Sequence, residues 1–131
     1  MNKPKVSKPK VLLVEDSKFF LKATTVVFER EGFEVLTAAT GEEALSVAQS
    51  KKPDIILLDL MLPRLDGMMV LRMLRGIPAL KDTPVIVLSG NNSEQDRSQA
   101  KKLGAVDYFQ KESTPAAELV KLVRNAIIIK K

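Results

Sequence analysis

The sequence predicts an α/β domain: an open, doubly wound, five-stranded parallel sheet with helices on both faces. Three observations predict it. Apolar runs of strand length alternate five times with segments of helical spacing. The run at 55–58, IILL, is apolar at every position, as a central strand covered on both faces requires. The connections between runs are short, which suits strand–helix units packed side by side.

The elements follow in order. Residues 1–9 hold Pro4 and Pro9 among polar residues and read as a disordered basic lead-in, leaving 10–129 as one domain. KVLLV at 10–14 is a buried strand that ends at the acidic pair Glu15-Asp16. A helix over 18–31 has Ser17 as its cap, Phe19, Val26 and Val27 as apolar positions, and Gly32 as its stop. FEVLTA at 33–38 is the second strand. Thr40-Gly41-Glu42-Glu43 opens the second helix, with Ala44, Leu45 and Ala48 facing inward. Strand three, 55–58, ends at Asp59. A third helix runs from about 66 to 75 with Met69, Val70 and Leu74 apolar. PVIVL at 84–88 is the fourth strand and ends at Ser89-Gly90. The helix at 93–103 is weak, with only Ala100 and Leu103 clearly apolar. AVDYF at 105–109 is the fifth strand. Thr114-Pro115 starts a last helix carrying Leu119, Val120, Val123, Ile127 and Ile128.

Composition narrows the chemistry. The chain has no cysteine and no histidine. Disulfides, thiol catalysis, a Ser-His-Asp triad and histidine-ligated zinc are therefore excluded. Any bound metal must be held by oxygen, which points to magnesium, calcium or manganese. No apolar run approaches the ~20 residues of a membrane span, and the basic N-terminus lacks an apolar signal core, so a cytoplasmic protein without membrane contact is the expectation. The net charge is +5, with Lys3, Lys5, Lys8 and Lys10 in the leading segment and Lys130 and Lys131 at the end. These read as solubilising tails. No stacking aromatics or recognition motif accompany them, so nucleic-acid contact by this domain is not expected.

Ligands of open parallel sheets bind beyond the carboxyl ends of the strands, where strand order reverses. The residues just past strands one, three, four and five are Glu15-Asp16, Asp59, Ser89 and Lys111. Such a sheet brings them to one edge. Clustered carboxylates repel unless a cation joins them, and a hard divalent ion is the partner available without histidine. Lys111 could neutralise a phosphoryl oxygen, and Ser89 could hydrogen-bond to another. Phosphoryl transfer needs mainly positioning and charge neutralisation. Asp59 is the natural nucleophile, because an aspartyl carboxylate can form an acyl phosphate.

With these residues in view, the chain resembles the receiver domain of bacterial two-component response regulators. The blocks KVLLVEDS, PDIILLDLMLPRLDG, TPVIVLSG and GAVDYFQK carry the resemblance, which runs from Lys10 to about Ile129. Ser89 lies 30 residues after Asp59, and Lys111 lies 22 after Ser89, as in the family. The resemblance implies a flavodoxin-like receiver fold with strand order 2-1-3-4-5. It implies Asp59 as the phosphoacceptor and Mg2+ as the cofactor. Asp16 and Asp59 then bind the metal directly, Glu15 mainly through water, and Met61 through its carbonyl. Ser89 is the switch hydroxyl, Tyr108 the switch aromatic that rotates inward, and Lys111 the contact to the phosphoryl group. The donor would be a sensor histidine kinase or a histidine phosphotransfer protein. The domain would act on itself alone, gaining and losing its own phosphoryl group, rather than turn over an outside substrate.

Two departures from the family stand out. Glu112 follows Lys111 where proline is usual, and Gly90 follows the switch hydroxyl where alanine is usual. The expected output surface is the weak helix, strand five and the last helix, where a partner or a second copy of the chain, forming a homodimer, is expected to dock. Two other functions fit the fold less well. A receiver-like module that is never phosphorylated would not need all of Glu15, Asp16, Asp59, Ser89 and Lys111. A flavin binder would need a phosphate loop after strand one, where Glu15-Asp16 stands instead.

Overall fold

The computed structural model describes residues 8–91 and 93–130, without the side chains of 128–130. Most of the lysine-rich lead-in and the side chains of Ile128 and Ile129 thus lie outside what is described. Strands and helices alternate: β1 (Lys10–Val14), α1 (Lys18–Arg30), β2 (Glu34–Ala38), α2 (Gly41–Lys51), β3 (Ile55–Asp59), α3 (Gly67–Arg75), β4 (Val85–Ser89), α4 (Glu94–Lys102), β5 (Asp107–Gln110) and α5 (Ala116–Lys130). Short 3-10 turns at Pro78–Leu80 and Lys111–Ser113 add to the predicted set. All strands are parallel, in the order β2-β1-β3-β4-β5. The order reverses between β1 and β3, so the crevice opens at their carboxyl ends.

Local chemistry starts the first four helices. The Ser17 hydroxyl accepts from the Phe20 N–H, Thr40 from Glu43, Asp66 from Met69 and Ser93 from Asp96. Glu43 also reaches back past the cap, accepting from the Ala39 N–H at 2.8 Å. Gly32, at φ +91°, ends α1 in the left-handed region that favours glycine.

Strand alternation divides the core into two layers. Leu12, Val14, Ile56, Leu58, Val85 and Val87 pack with α2, α3 and Ala100 of α4. Val11, Leu13, Ile55, Leu57, Ile86 and Leu88 pack with Phe28 of α1 and with Leu119, Val120 and Val123 of α5. The continuous apolar run in β3 has the double-sided burial it predicts.

The buried side of α1 is not the one its spacing suggests. Phe19 is 83% exposed and Val26 39% exposed, while Thr24 and Phe28 are buried. Phe19 and Phe20 are adjacent, so periodicity alone leaves the helix phase open. Packing sets it: the Phe28 ring meets Phe33 edge-on at 5.2 Å, which turns Phe20, Leu21 and Val27 toward the sheet. Met69 of α3 also faces outward, and Leu71 takes the inner position.

At the sheet edge away from the crevice, Arg75 ties three segments together. Its guanidinium donates to the carbonyls of Leu80 at 3.1 Å, Lys81 at 3.2 Å and Gly104 at 3.0 Å. A Cβ on Gly104 would stand 2.7 Å from the Arg75 Nε, so glycine makes the close approach available.

Candidate functional site

Glu15, Asp59 and Ser89 are delivered by the sheet itself. The ladder continues past β1 through the Glu15 N–H to the Ala38 carbonyl at 2.9 Å, and past β3 through the Leu60 N–H to the Leu88 carbonyl at 3.1 Å. Asp59 and Ser89 are the last residues of neighbouring strands, and Lys111 opens the turn after β5. The start of α3 abuts Asp59: a Cβ on Gly67 would stand 2.6 Å from the Asp59 carbonyl oxygen. Only glycine permits that approach.

The Lys111 ammonium lies 2.7 Å from Glu15 Oε1 and 3.3 Å from Asp59 Oδ2. The other oxygen of each carboxylate accepts a backbone N–H, from Ser17 at 2.9 Å to Glu15 and from Met61 at 3.0 Å to Asp59. Glu15 and Asp59 are buried, and Asp16 is exposed. Asp16 has no ion pair or hydrogen bond among the described residues. One carboxylate oxygen from each of Glu15, Asp16 and Asp59 falls within 4.8 Å of the others. Three carboxylates thus meet one ammonium. The surplus negative charge and the unpartnered Asp16 oxygens suit a hard divalent cation.

The family model for the response regulator receiver domain matches residues 11–124. The chain belongs to the response regulator receiver domain family. The alkaline phosphatase synthesis transcriptional regulatory protein PhoP of Bacillus subtilis is 40% identical over 106 residues, 81% of this chain and 43% of PhoP. Protein PilG of Pseudomonas aeruginosa is 33% identical over 102 residues, 78% of this chain and 76% of PilG. The solved receiver domain of the Francisella response regulator 1452 superposes with a TM-score of 0.87 at 33% identity, covering 95% of this chain and all of that one. The chain spans about half the length of the first transcriptional regulators it matches.

In this receiver domain Glu15, Asp16, Asp59, Ser89 and Lys111 lie along one rim. Glu15, Asp16 and Asp59 are within reach of one another, and Lys111 is within reach of Glu15 and Asp59. Ser89 is fully buried on the neighbouring strand, and its Oγ accepts the Asn91 N–H at 3.3 Å. The Met61 side chain points outward while its N–H holds Asp59. The Tyr108 ring lies inside at 1% exposure, the position that the expected inward rotation reaches. Its hydroxyl donates to Asn91 Oδ1 at 3.3 Å, and the Arg97 guanidinium lies 4.8 Å from the ring centroid. Among the described residues no helix is long and apolar enough to cross a membrane.

Burial raises the Glu15 pKa, and the Asp59 charge adds to the rise. The Lys111 hydrogen bond and the Ser17 N–H oppose it without cancelling it. Burial also pushes the Lys111 ammonium down. The Glu15 hydrogen bond and the Asp59 and Glu15 charges outweigh that, so its pKa ends up raised. Sequence reasoning missed Phe20, whose ring lies 4.8 Å from the Lys111 ammonium, and Asn91. Asparagine two residues before a helix-capping serine is a turn signal that could have drawn attention to Asn91.

Proposed function

We propose that this receiver domain accepts a phosphoryl group on Asp59 from the phosphohistidine of a sensor histidine kinase or a histidine phosphotransfer protein. The observation that carries the proposal is the buried Asp59 carboxylate held between the Met61 N–H and the Lys111 ammonium, beside two further carboxylates. Glu15, Asp16, Asp59 and the Met61 carbonyl would hold Mg2+, with Glu15 acting mainly through water. Bound there, the ion supplies charge neutralisation at the phosphoryl oxygens.

One Asp59 carboxylate oxygen attacks phosphorus, and the phosphorus–nitrogen bond to the donor imidazole breaks. That bonding pair stays on the imidazole nitrogen, so charge and atoms balance. Lys111 then neutralises a phosphoryl oxygen, for which it is already aimed at Asp59. Ser89 donates a hydrogen bond from its hydroxyl to another phosphoryl oxygen, and Tyr108 and the α4–β5–α5 face register the change. Hydrolysis returns the carboxylate and inorganic phosphate. The chemistry is confined to the domain's own side chain, and the chain works in the cytoplasm through protein contact, without nucleic-acid or membrane contact of its own.

The test is intact-mass analysis after incubation with acetyl phosphate and Mg2+. The native chain is expected to gain one phosphoryl group and Asp59→Asn none, with both folded by circular dichroism. A native chain that gains nothing would favour a receiver-like module that is never phosphorylated. An Asn variant that gains phosphate at the native rate would place the acceptor elsewhere.

A further inference from the structure

The Lys111 ammonium has a third neighbour besides its two carboxylates. The ring of Phe20 lies 4.8 Å from it, measured to the centroid. At that distance the negative face of an aromatic ring attracts a cation. The Lys111 side chain is 19% exposed, so water screens the attraction only in part.

Glu15 ties the two sides of this contact together. Its Oε1 accepts from the Lys111 ammonium at 2.7 Å, and its Oε2 accepts from the Ser17 N–H at 2.9 Å. Ser17 caps α1, and its hydroxyl accepts from the Phe20 N–H at 3.3 Å. The contacts therefore close a circuit: Lys111 to Glu15, Glu15 to Ser17, Ser17 to Phe20, and the Phe20 ring back to Lys111. Phe20 also packs against the buried layer that β1 and β3 share with α1 and α5. The phase of α1 gives the two adjacent phenylalanines different places: Phe19 is exposed, and Phe20 packs inward beside the lysine. An aliphatic side chain could fill that place in the layer. What the ring adds is its electron-rich face.

Both carboxylates change partners in the proposed function. Asp59 becomes the acyl phosphate, and Glu15 turns through water to the metal. The ring takes part in neither change. We propose that Phe20 is a positioning residue that holds the Lys111 ammonium at the rim by attraction to its ring face while both carboxylates are engaged elsewhere. The proposal rests on phosphorylation of Asp59. Lysine carries its charge on a flexible four-carbon stem, and without the ring that stem swings toward solvent. With the ring in place, the ammonium meets the phosphoryl oxygen from a prepared position.

Two readouts test this. The first needs neither metal nor phosphodonor. Protons over a ring face resonate upfield, so the Lys111 ε-methylene protons of the metal-free native chain are expected upfield of those of the exposed lysines. Phe20→Leu is expected to return them to the common position, and Phe20→Tyr to keep them upfield. The second is the rate of phosphoryl uptake from acetyl phosphate with Mg2+, read by intact mass. Phe20→Leu is expected to be about fivefold slower, the worth of a partly exposed cation–ring contact, and Phe20→Tyr to match the native chain. Pentafluorophenylalanine in place of Phe20 keeps the ring's shape and withdraws its electrons. It is expected to slow uptake as leucine does, and it serves as the test if the leucine chain does not fold. Lys111 protons that stay upfield in folded Phe20→Leu overturn the proposal. So does native-rate uptake by the folded leucine or the fluorinated chain, or a tyrosine chain as slow as the leucine one. A native chain that gains no phosphate overturns the proposed function instead.

Discussion

At the Lys111 ammonium, burial and charge act in opposite directions, and the balance has a pH signature. Its pKa in the fold lies above the ordinary lysine value because Glu15 and Asp59 outweigh the loss of water. A group raised in this way contributes stability that is complete below its unfolded pKa, about 10.4, and lost as pH rises through the higher folded value. Glu15 is raised too, so its protonated form favours the fold below the ordinary carboxylate range, and that contribution fades as pH rises through its folded value. In metal-free buffer, thermal unfolding of the native chain is expected to fall more steeply above about pH 10.4 than that of Lys111→Met, which lacks the titrating group. Parallel curves for the two chains would show that the Lys111 contacts contribute nothing. The carboxylates and Lys111 were legible in the sequence because each interrupts or closes an apolar run. The hydrogen bond between Asn91 and Tyr108 was not, because it joins residues 17 apart in the chain.

At the scale of elements, α4 differs from its neighbours in what holds it. It fully buries only Ala100, whereas α3 buries Val70, Leu71 and Leu74. Its stability comes instead from the Ser93 cap, from Glu94 and Asp96 in the first turn, and from Lys101 and Lys102 in the last, each placed to suit the helix dipole. Such contributions are individually near ~1 kcal/mol and open readily. Backbone amides of α4 are accordingly expected to exchange hydrogen sooner than those of α3, as read by mass spectrometry of peptic fragments. Equal protection in the two helices would contradict this. The weakness of α4 was legible from its sparse apolar residues. The face of α1 was not, because Phe19 and Phe20 offer two phases and the contact between Phe28 and Phe33 chooses one.

For the whole molecule, the two-layered core makes sequence neighbours belong to different layers. Leu57 packs with α1 and α5, and Leu58 with α2, α3 and Tyr108, though both are fully buried. Leu57→Ala and Leu58→Ala are each expected to cost ~2–5 kcal/mol in denaturant unfolding, since each leaves a cavity in a different layer. A cost confined to one of them would mean that only one layer carries the fold. This architecture was readable from IILL and the strand–helix alternation alone. The strand order was not, because periodicity says which residues are buried and not which strands are neighbours; the resemblance supplied it.

The three carbonyls gathered by Arg75 have a mechanical consequence. Gly104, just after α4, is bonded to a guanidinium rooted in α3, so the far end of that helix is anchored to the body of the domain. Its near end is held by the hydrogen bonds of Asn91 and Ser93 and, one turn on, by Arg97 on the Tyr108 carbonyl at 3.0 Å. An element tied near its middle and at its far end gives way first at the lightly held turn that opens it. The largest displacement then falls at residues 93–96, ahead of the Arg97 anchor, and the smallest at Gly104.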